Sequence, residues 1–359
     1  MLNLFDTHVL LGKVKGSGAP AWYPMTELTK HALFLGATGY GKTTLLYWIL
    51  SQLFGKVGVW MFDRKEDFRH LLRLFPDKLL VFNLAEDFRC NPLEPPPYVK
   101  PARWLEIFVD MFCRVNNLLD GSKSMLLTTM AELYERYKVY AGSRNYPSFL
   151  ELCEALKKLE LARGSRSTGF RDSLVTRLDS YIATNKRLYD CCAGFDIEGL
   201  IAKSVVFELT GLIEFQANFW INLLLYWVFA YRIAKKERGN RLLNLVVFDE
   251  AKSVFSPFEN PALGFPPITY MVSMLREFCV GIIASDQMAQ LSNAIFANSQ
   301  LKVLWPLGSG EDRLKAARAM GLSAEQAAYT QSLGLGEAIV SHQRIGKIFV
   351  LQIPKFPLE

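Results

Sequence analysis

Eight residues near the start of the chain, Gly36-Ala37-Thr38-Gly39-Tyr40-Gly41-Lys42-Thr43, fit the pattern GxxxxGK[ST] without a mismatch, and Thr44 follows them. The chemistry of such a run is phosphate binding. Gly39 and Gly41 let the backbone wrap an anion with no Cβ in the way, while N–H groups and a helix N-terminus face it. In that arrangement Lys42 reaches the β- and γ-phosphates and the Thr43 hydroxyl holds Mg²⁺. A second run, Leu245-Val246-Val247-Phe248-Asp249-Glu250, is an apolar strand that delivers two carboxylates at its C-terminal end. Open α/β sheets bind their ligands at that end. Asp249 is expected to hold Mg²⁺, directly or through water, and Glu250 to polarise an attacking water as general base.

Two further positions could complete the chemistry. The apolar stretch at 280–285 ends in Asp286-Gln287, and a polar side chain at that tip could sense the γ-phosphate. Gln287 is the first choice, with Ser285 and Asp286 as alternatives; the competing reading is a turn residue that caps the following helix. Arg276 precedes the same stretch. It reads either as an arginine finger for a neighbouring subunit's site or as a surface residue paired with an acid such as Glu277.

These groups need elements to position them. Residues 31–35 form a short apolar run ending at Gly36, and residues 42–54 read as the helix that follows the phosphate loop. Strands are expected at 58–62 and 79–82, after which Pro95-Pro96-Pro97 breaks the chain. From about 101 to 199 apolar residues recur at helical spacing, as in Trp104, Leu105, Phe108, Val109 and Phe112. Strand texture returns at 205–209, 243–248, 280–284, 302–305, 338–341 and 348–353. Short apolar strands alternating with helices imply an α/β fold with a mainly parallel sheet covered on both faces. The expected division is 1–100 for the first part of the core, 101–199 for a helical insertion, and 200–359 for the rest of the core.

Composition narrows the class. Of 359 residues, 50% are hydrophobic and 21% charged, which is enough to bury a core and excludes disorder, coiled coil and collagen. Lys+Arg 41 against Asp+Glu 35 leaves +6, a mild excess that permits a nucleic-acid partner without requiring one. The six cysteines form no CxxC and the four histidines no HExxH, which points to reduced thiols and a cytoplasmic chain rather than a zinc site or disulfide framework. The adjacent Cys191 and Cys192 are a redox pair or an incidental one. The most membrane-like segment, 219–230, is about a dozen residues against the roughly 20 that a span needs, so it reads as a buried helix. Arg232, Lys235, Lys236, Arg238 and Arg241 form a basic cluster that is a solvated helix end or a contact to DNA phosphates. Arg163, Arg166 and Arg171 make a second such candidate, and the Pro/Phe-rich loop at 256–267 reads as a packed loop or as one projecting toward a partner.

Taken together, the motifs resemble the HerA/FtsK superfamily of ring-forming translocases, particularly the TraG/TraD-like coupling ATPases of conjugation and type IV secretion. The resemblance rests on the GATGYGKTT loop preceded by KHALFL, and on Phe62-Asp63-Arg64-Lys65 and Asn91-Pro92-Leu93. It extends through VVFDEA at 246–251 and IIASDQ at 282–287 to LGSGED at 307–312, GLS at 321–323 and GEAIV at 336–340, so nearly the whole chain is covered. It implies a RecA-like P-loop core, ATP and Mg²⁺ as cofactors, a homo-hexameric ring with ATP sites between subunits, and DNA in a central channel. Carried over, Lys42 and Thr43 match the phosphate-loop pair, Asp249 and Glu250 the acidic pair, Gln287 the sensor and Arg276 the finger. Tyr40 stands where the family has a small residue. No transmembrane helices or β-barrel domain precede the core, so any place at the cytoplasmic face of a membrane is expected to come through an anchored secretion component. The alternatives are a HerA-type DNA-processing or defence motor partnered with a nuclease, a secretion or pilus-assembly ATPase acting on protein, and a nucleotide-gated scaffold.

Overall fold

The computed structural model describes residues 4–162, 164–255, 267–342 and 347–358. Among the described residues eleven strands form one sheet, taken in chain order as β1 (His8–Val14), β2 (Pro20–Pro24), β3 (Ala32–Leu35), β4 (Gly58–Asp63), β5 (Leu79–Asn83), β6 (Ser204–Glu208), β7 (Asn244–Asp249), β8 (Val280–Asp286), β9 (Leu301–Leu304), β10 (Glu337–His342) and β11 (Lys347–Gln352). Their spatial order is β2-β1-β11-β10-β9-β3-β8-β7-β4-β6-β5.

The pairs joining β9, β3, β8, β7, β4 and β6 are all parallel. Parallel strands covered on both faces must be apolar throughout, and β3, β4, β6 and β8 are buried at every position. Because these strands run one way, their C-terminal ends share one edge of the sheet. Register aligns the tips there: Leu35 with Asp286 and Leu304, Asp249 with Ser285, and Asp63 with Glu208. The other flank is antiparallel, β10 with β9, β11 with β10, β1 with β11 and β2 with β1. The sheet is therefore mixed, with a parallel centre. The hairpin β1–β2 is absent from the sequence reading. Pro20, Pro24 and Gly12 make it look like loop, and its register slips between Leu10 and Gly12.

Two compact units share the chain. The first comprises 1–81, 199–208 and 236–359 and holds the sheet; the second comprises 82–198 and 209–235. The second takes in more chain than the 101–199 block, because the helix Glu214–Ala234 belongs to it. That helix contains the membrane-like segment; it is buried at Phe219, Trp220, Leu223, Leu224 and Trp227. Among the described residues no helix is long and apolar enough to cross a membrane. In the sheet unit, Leu45, Ile49 and Leu50 of the helix Lys42–Leu53 join Val59, Met61, Leu245, Val247 and Ile283 in one core. That packing anchors the helix whose first turn follows the phosphate loop.

Candidate active site

The phosphate loop lies between β3 and the helix Lys42–Leu53. Its glycines do different jobs. Gly39 and Gly41 have φ of 86° and 103°, a region that a side chain disfavours. Gly36 is required by packing instead, since a Cβ there would sit 2.4 Å from Cβ of Trp305. The N–H of Gly36 donates to the Asp286 carbonyl (3.2 Å) and that of Ala37 to the Pro306 carbonyl (2.8 Å), so the start of the loop is pinned to its neighbours. The Tyr40 carbonyl accepts from the Gly336 N–H at 3.2 Å and its side chain packs against the core, which accommodates the large residue without closing the cradle.

A cavity of about 700 Å³ opens over this loop. Thr38, Gly39, Gly41, Lys42, Thr43 and Thr44 line its floor, whereas Gly36, Ala37 and Tyr40 do not reach it. Asp249 and Glu250 from the tip of β7, and Asp286 and Gln287 from the tip of β8, line the same space. The residues read as phosphate loop, acidic pair and sensor thus come together, from strand tips that the register sets side by side. A space of this size suits a nucleotide. The oxygens of Thr43 and Asp249 are the hard donors that Mg²⁺ prefers, so the residues present fit both cofactors.

The electrostatics are those of a site prepared for an anion and a cation. Lys42 Nζ turns back onto its own loop, donating to the carbonyls of Gly36 (2.5 Å) and Ala37 (2.8 Å). Burial pushes its ammonium down to about 8, against the pull of Asp249 and Asp286 and with the push of Lys65. Burial likewise raises the Asp249 carboxyl to about 6, opposed by Lys65 and reinforced by Asp63 and Glu250. Both groups become more favourably charged once an opposite charge arrives. Glu250 sits at φ 59°, ψ 56°, left-handed for a residue with a side chain, and such strain of about 1–3 kcal/mol concentrates at functional turns.

Sequence reasoning missed the groups that hold this arrangement. The Asp286 carboxylate accepts from the Lys252 N–H at 2.6 Å and from the Met288 N–H at 3.0 Å. It therefore ties the turn after Glu250 to the tip of β8. Gln287 is left facing the loop, where its Oε1 accepts from the Thr38 hydroxyl at 2.9 Å. Lys65, two residues past β4, reaches Glu250 Oε1 at 2.8 Å. On the antiparallel side, Leu335, Gly336, Ile353 and Lys355 complete the cavity wall. Their loop is braced by Glu337, which accepts from the Gly334 N–H (3.1 Å) and pairs with Lys15 (2.8 Å). The sequence offers Asp286 as an alternative sensor rather than as a brace, and Lys65, Gly336 and Glu337 only within motif strings to which no role is attached.

Arg276 lies elsewhere. It is exposed, at the N-terminal end of β8, a full strand length from Gln287, and is not among the cavity residues. The basic cluster is largely engaged within each unit. Lys235 pairs with Glu198 at 3.8 Å and lies over Tyr98, Arg238 lies over Phe278, and Arg241 pairs with Glu237 at 3.5 Å. Arg232 is buried beside Tyr231. Arg171 pairs with Asp172 while Arg166 is exposed. Arg163 and the 256–266 part of the Pro/Phe-rich loop lie outside the described residues.

Residues 9–226, more than half of the chain, match the family described as the central domain of helicase HerA. The chain belongs to that family. Over 97% of its length it is 24% identical to the DNA double-strand break repair helicase HerA of Sulfurisphaera tokodaii, covering 69% of that protein. The fold is similar to VirB4 of Thermoanaerobacter pseudethanolicus, with a TM-score of 0.71 at 18% identity over 98% of this chain and 97% of that one. It is also similar to the conjugative coupling protein TrwB in complex with ADP and Mg²⁺, with a TM-score of 0.64 at 14% identity over 96% and 90% of the two chains. The chain is a HerA/FtsK-type P-loop ATPase with a RecA-like core.

Proposed function

We propose that this ATPase is a ring motor that hydrolyses ATP with Mg²⁺ and moves DNA through a homo-hexamer. The observation that carries the reading is the single cavity in which Lys42 and Thr43 meet Asp249 and Glu250 across some two hundred residues of sequence. Lys42 leaves its loop carbonyls for the phosphates, and Thr43 and Asp249 hold Mg²⁺, which when bound supplies stabilisation of charge on the phosphate oxygens. Glu250 takes a proton from the attacking water. Gln287, bonded to Thr38, registers whether a γ-phosphate occupies the loop. Arg276 acts in the site of the next subunit, which agrees with its exposure and its distance from its own cavity.

The named relatives support DNA as the cargo, since one is a repair helicase and another a conjugative coupling protein. Two settings follow from them. Conjugation or type IV secretion-like DNA transfer would place the ring beside a membrane-anchored component. The family match favours the second setting, HerA-type DNA processing or defence with a nuclease partner. ATP turnover measured alone and with single- or double-stranded DNA, alongside a mass measurement with nucleotide bound, tests the reading. DNA-stimulated turnover by a six-subunit species is expected. Turnover indifferent to DNA would move the assignment to a protein-translocating or scaffold role.

A further inference from the structure

The pair formed by Lys65 and Glu250 is unusual because it ties up the group read as the general base. Lys65 Nζ lies 2.8 Å from Glu250 Oε1, and the two side chains retain 38% and 36% exposure toward the cavity they both line. An ion pair this open is worth little, about 0–1 kcal/mol, so a competing anion can displace it. The two partners are not equally free to move. The main chain of Glu250 is held in its left-handed turn, where its carbonyl accepts from the Ser253 hydroxyl at 3.1 Å. Lys65 is fixed only at its root, where its N–H donates to Asp63 Oδ1 at 3.0 Å, and its four-carbon stem swings from there. Burial works against its charge, but the carboxylates of Glu250, Asp249 and Asp67 outweigh that and favour the ammonium form.

The cavity has three lysines, Lys42, Lys65 and Lys355, against the four carboxylates Asp67, Asp249, Glu250 and Asp286. Lys355 follows β11 on the antiparallel side, whereas Lys65 is paired with Glu250. A triphosphate whose terminal group lies against the acidic pair therefore meets Lys65 as the second cation after Lys42.

We propose that Lys65 is a triphosphate-sensing residue, which holds the Glu250 carboxylate while no γ-phosphate is present and exchanges it for a γ-phosphate oxygen when ATP arrives. The exchange frees Glu250 for the attacking water only when there is a bond to break. With ADP bound, Lys65 returns to Glu250. The proposal rests on the nucleotide reading of this cavity and assigns the γ-phosphate a protein ligand outside the phosphate loop.

The test compares ADP with β,γ-imido-ATP, both with Mg²⁺, by calorimetry. In Lys65→Ala, affinity for the imido analogue should fall about 10- to 100-fold, the range of one hydrogen bond to a charged group, while ADP affinity stays within about 3-fold. ADP binding also reports that the variant is folded. Lys65→Arg keeps the charge and should recover most of the difference. The sharper arm is Glu250→Gln. Removing the competing carboxylate should tighten the imido analogue by about 2- to 5-fold when Lys65 is present and not at all in the Lys65→Ala background, a coupling read from the double-mutant cycle. Equal losses for both nucleotides, or a Glu250→Gln effect indifferent to Lys65, would overturn the exchange and leave the ATPase reading standing. A wild-type chain that binds neither nucleotide would overturn both.

Discussion

The two units of the chain solve different problems with different chemistry. In the sheet unit, backbone hydrogen bonds set the geometry, and an interior of aliphatic residues and rings, with Phe62 stacked between Phe207 and Phe248, runs up to the strand tips, where carboxylates and lysines gather. In the helical unit the interior is aromatic. Phe149 alone has ring neighbours in Phe108, Phe112, Tyr181, Tyr189 and Phe219, at centroid distances between 5.7 and 6.0 Å. Ring pairs contribute about 0.5–1.5 kcal/mol each beyond their area, with loose demands on orientation. Ladder hydrogen bonds place a strand tip to a fraction of an ångström. Chemistry therefore sits where register does the positioning, and the aromatic unit contributes cohesion.

The strongest challenge to that contrast is Lys42→Ala. Removing the one loop cation should abolish ATP binding while leaving the fold intact, as checked by calorimetry together with a melting curve. Arg276→Ala probes whether chemistry also depends on the far end of a strand. An arginine finger can be worth ~10³–10⁵ in turnover. The variant should bind ATP and assemble, yet turn over very slowly, and mixing it with Lys42→Ala subunits should restore part of the activity. Mixed rings that stay inactive would remove Arg276 from the mechanism.

Phe149→Ala addresses the other half of the comparison. Truncating a buried Phe costs about 3–5 kcal/mol, so denaturant unfolding should show a large loss while the folded fraction keeps its affinity for ATP. A matching loss of affinity would mean that the aromatic unit shapes the site after all.

Smaller effects come from charge. Burial raises the Asp249 carboxyl from 3.8 to about 6, so above pH 6 its ionised form is penalised in the folded chain without Mg²⁺. Asp249→Asn should then stabilise the metal-free protein at pH 7.5 by about 1–2 kcal/mol. That gain should shrink as pH falls through 6 and vanish below about pH 3, where the carboxyl is neutral in both folded and unfolded states. A gain independent of pH would point to packing instead. The smallest effect is expected from changing Lys235, Lys236 and Arg238 together to Ala. If they contact DNA phosphates, the log–log salt slope of binding, about −0.9 per contact on duplex, should become shallower. An unchanged slope leaves Lys235 and Arg238 with only the ring and ion-pair contacts of their own unit.

What could be read in advance follows the same division. Gly39 and Gly41 betray themselves because their backbone angles exclude most other residues, and β7 because a buried parallel strand must be apolar until it reaches its ligand. Lys65 was invisible as a partner of Glu250, since their contact depends on β4 lying beside β7, with Phe62 against Phe248. Nothing local to either residue encodes that adjacency. Asp286 was a fallback sensor in the sequence, but its carboxylate is committed to two backbone N–H groups. The helix Glu214–Ala234 looked like part of the returning core because it falls between two core strands; its aromatic face packs with the helical unit, where Phe219 meets Phe108 and Phe112.

The pairing of β1 with β11, Lys13 opposite Gln352, has a consequence for how the chain is made. Residues from both ends of the sheet unit must be present before that flank exists, and Ile353 and Lys355 of the cavity wall follow directly on β11. At translation rates of 5–20 residues per second, roughly 15–60 s separates the synthesis of Lys42 from that of Lys355. Throughout that interval the phosphate loop is on the nascent chain without its far wall. The pocket is therefore unfinished until β11 is in place, and a chain stalled earlier lacks the wall formed by Ile353 and Lys355.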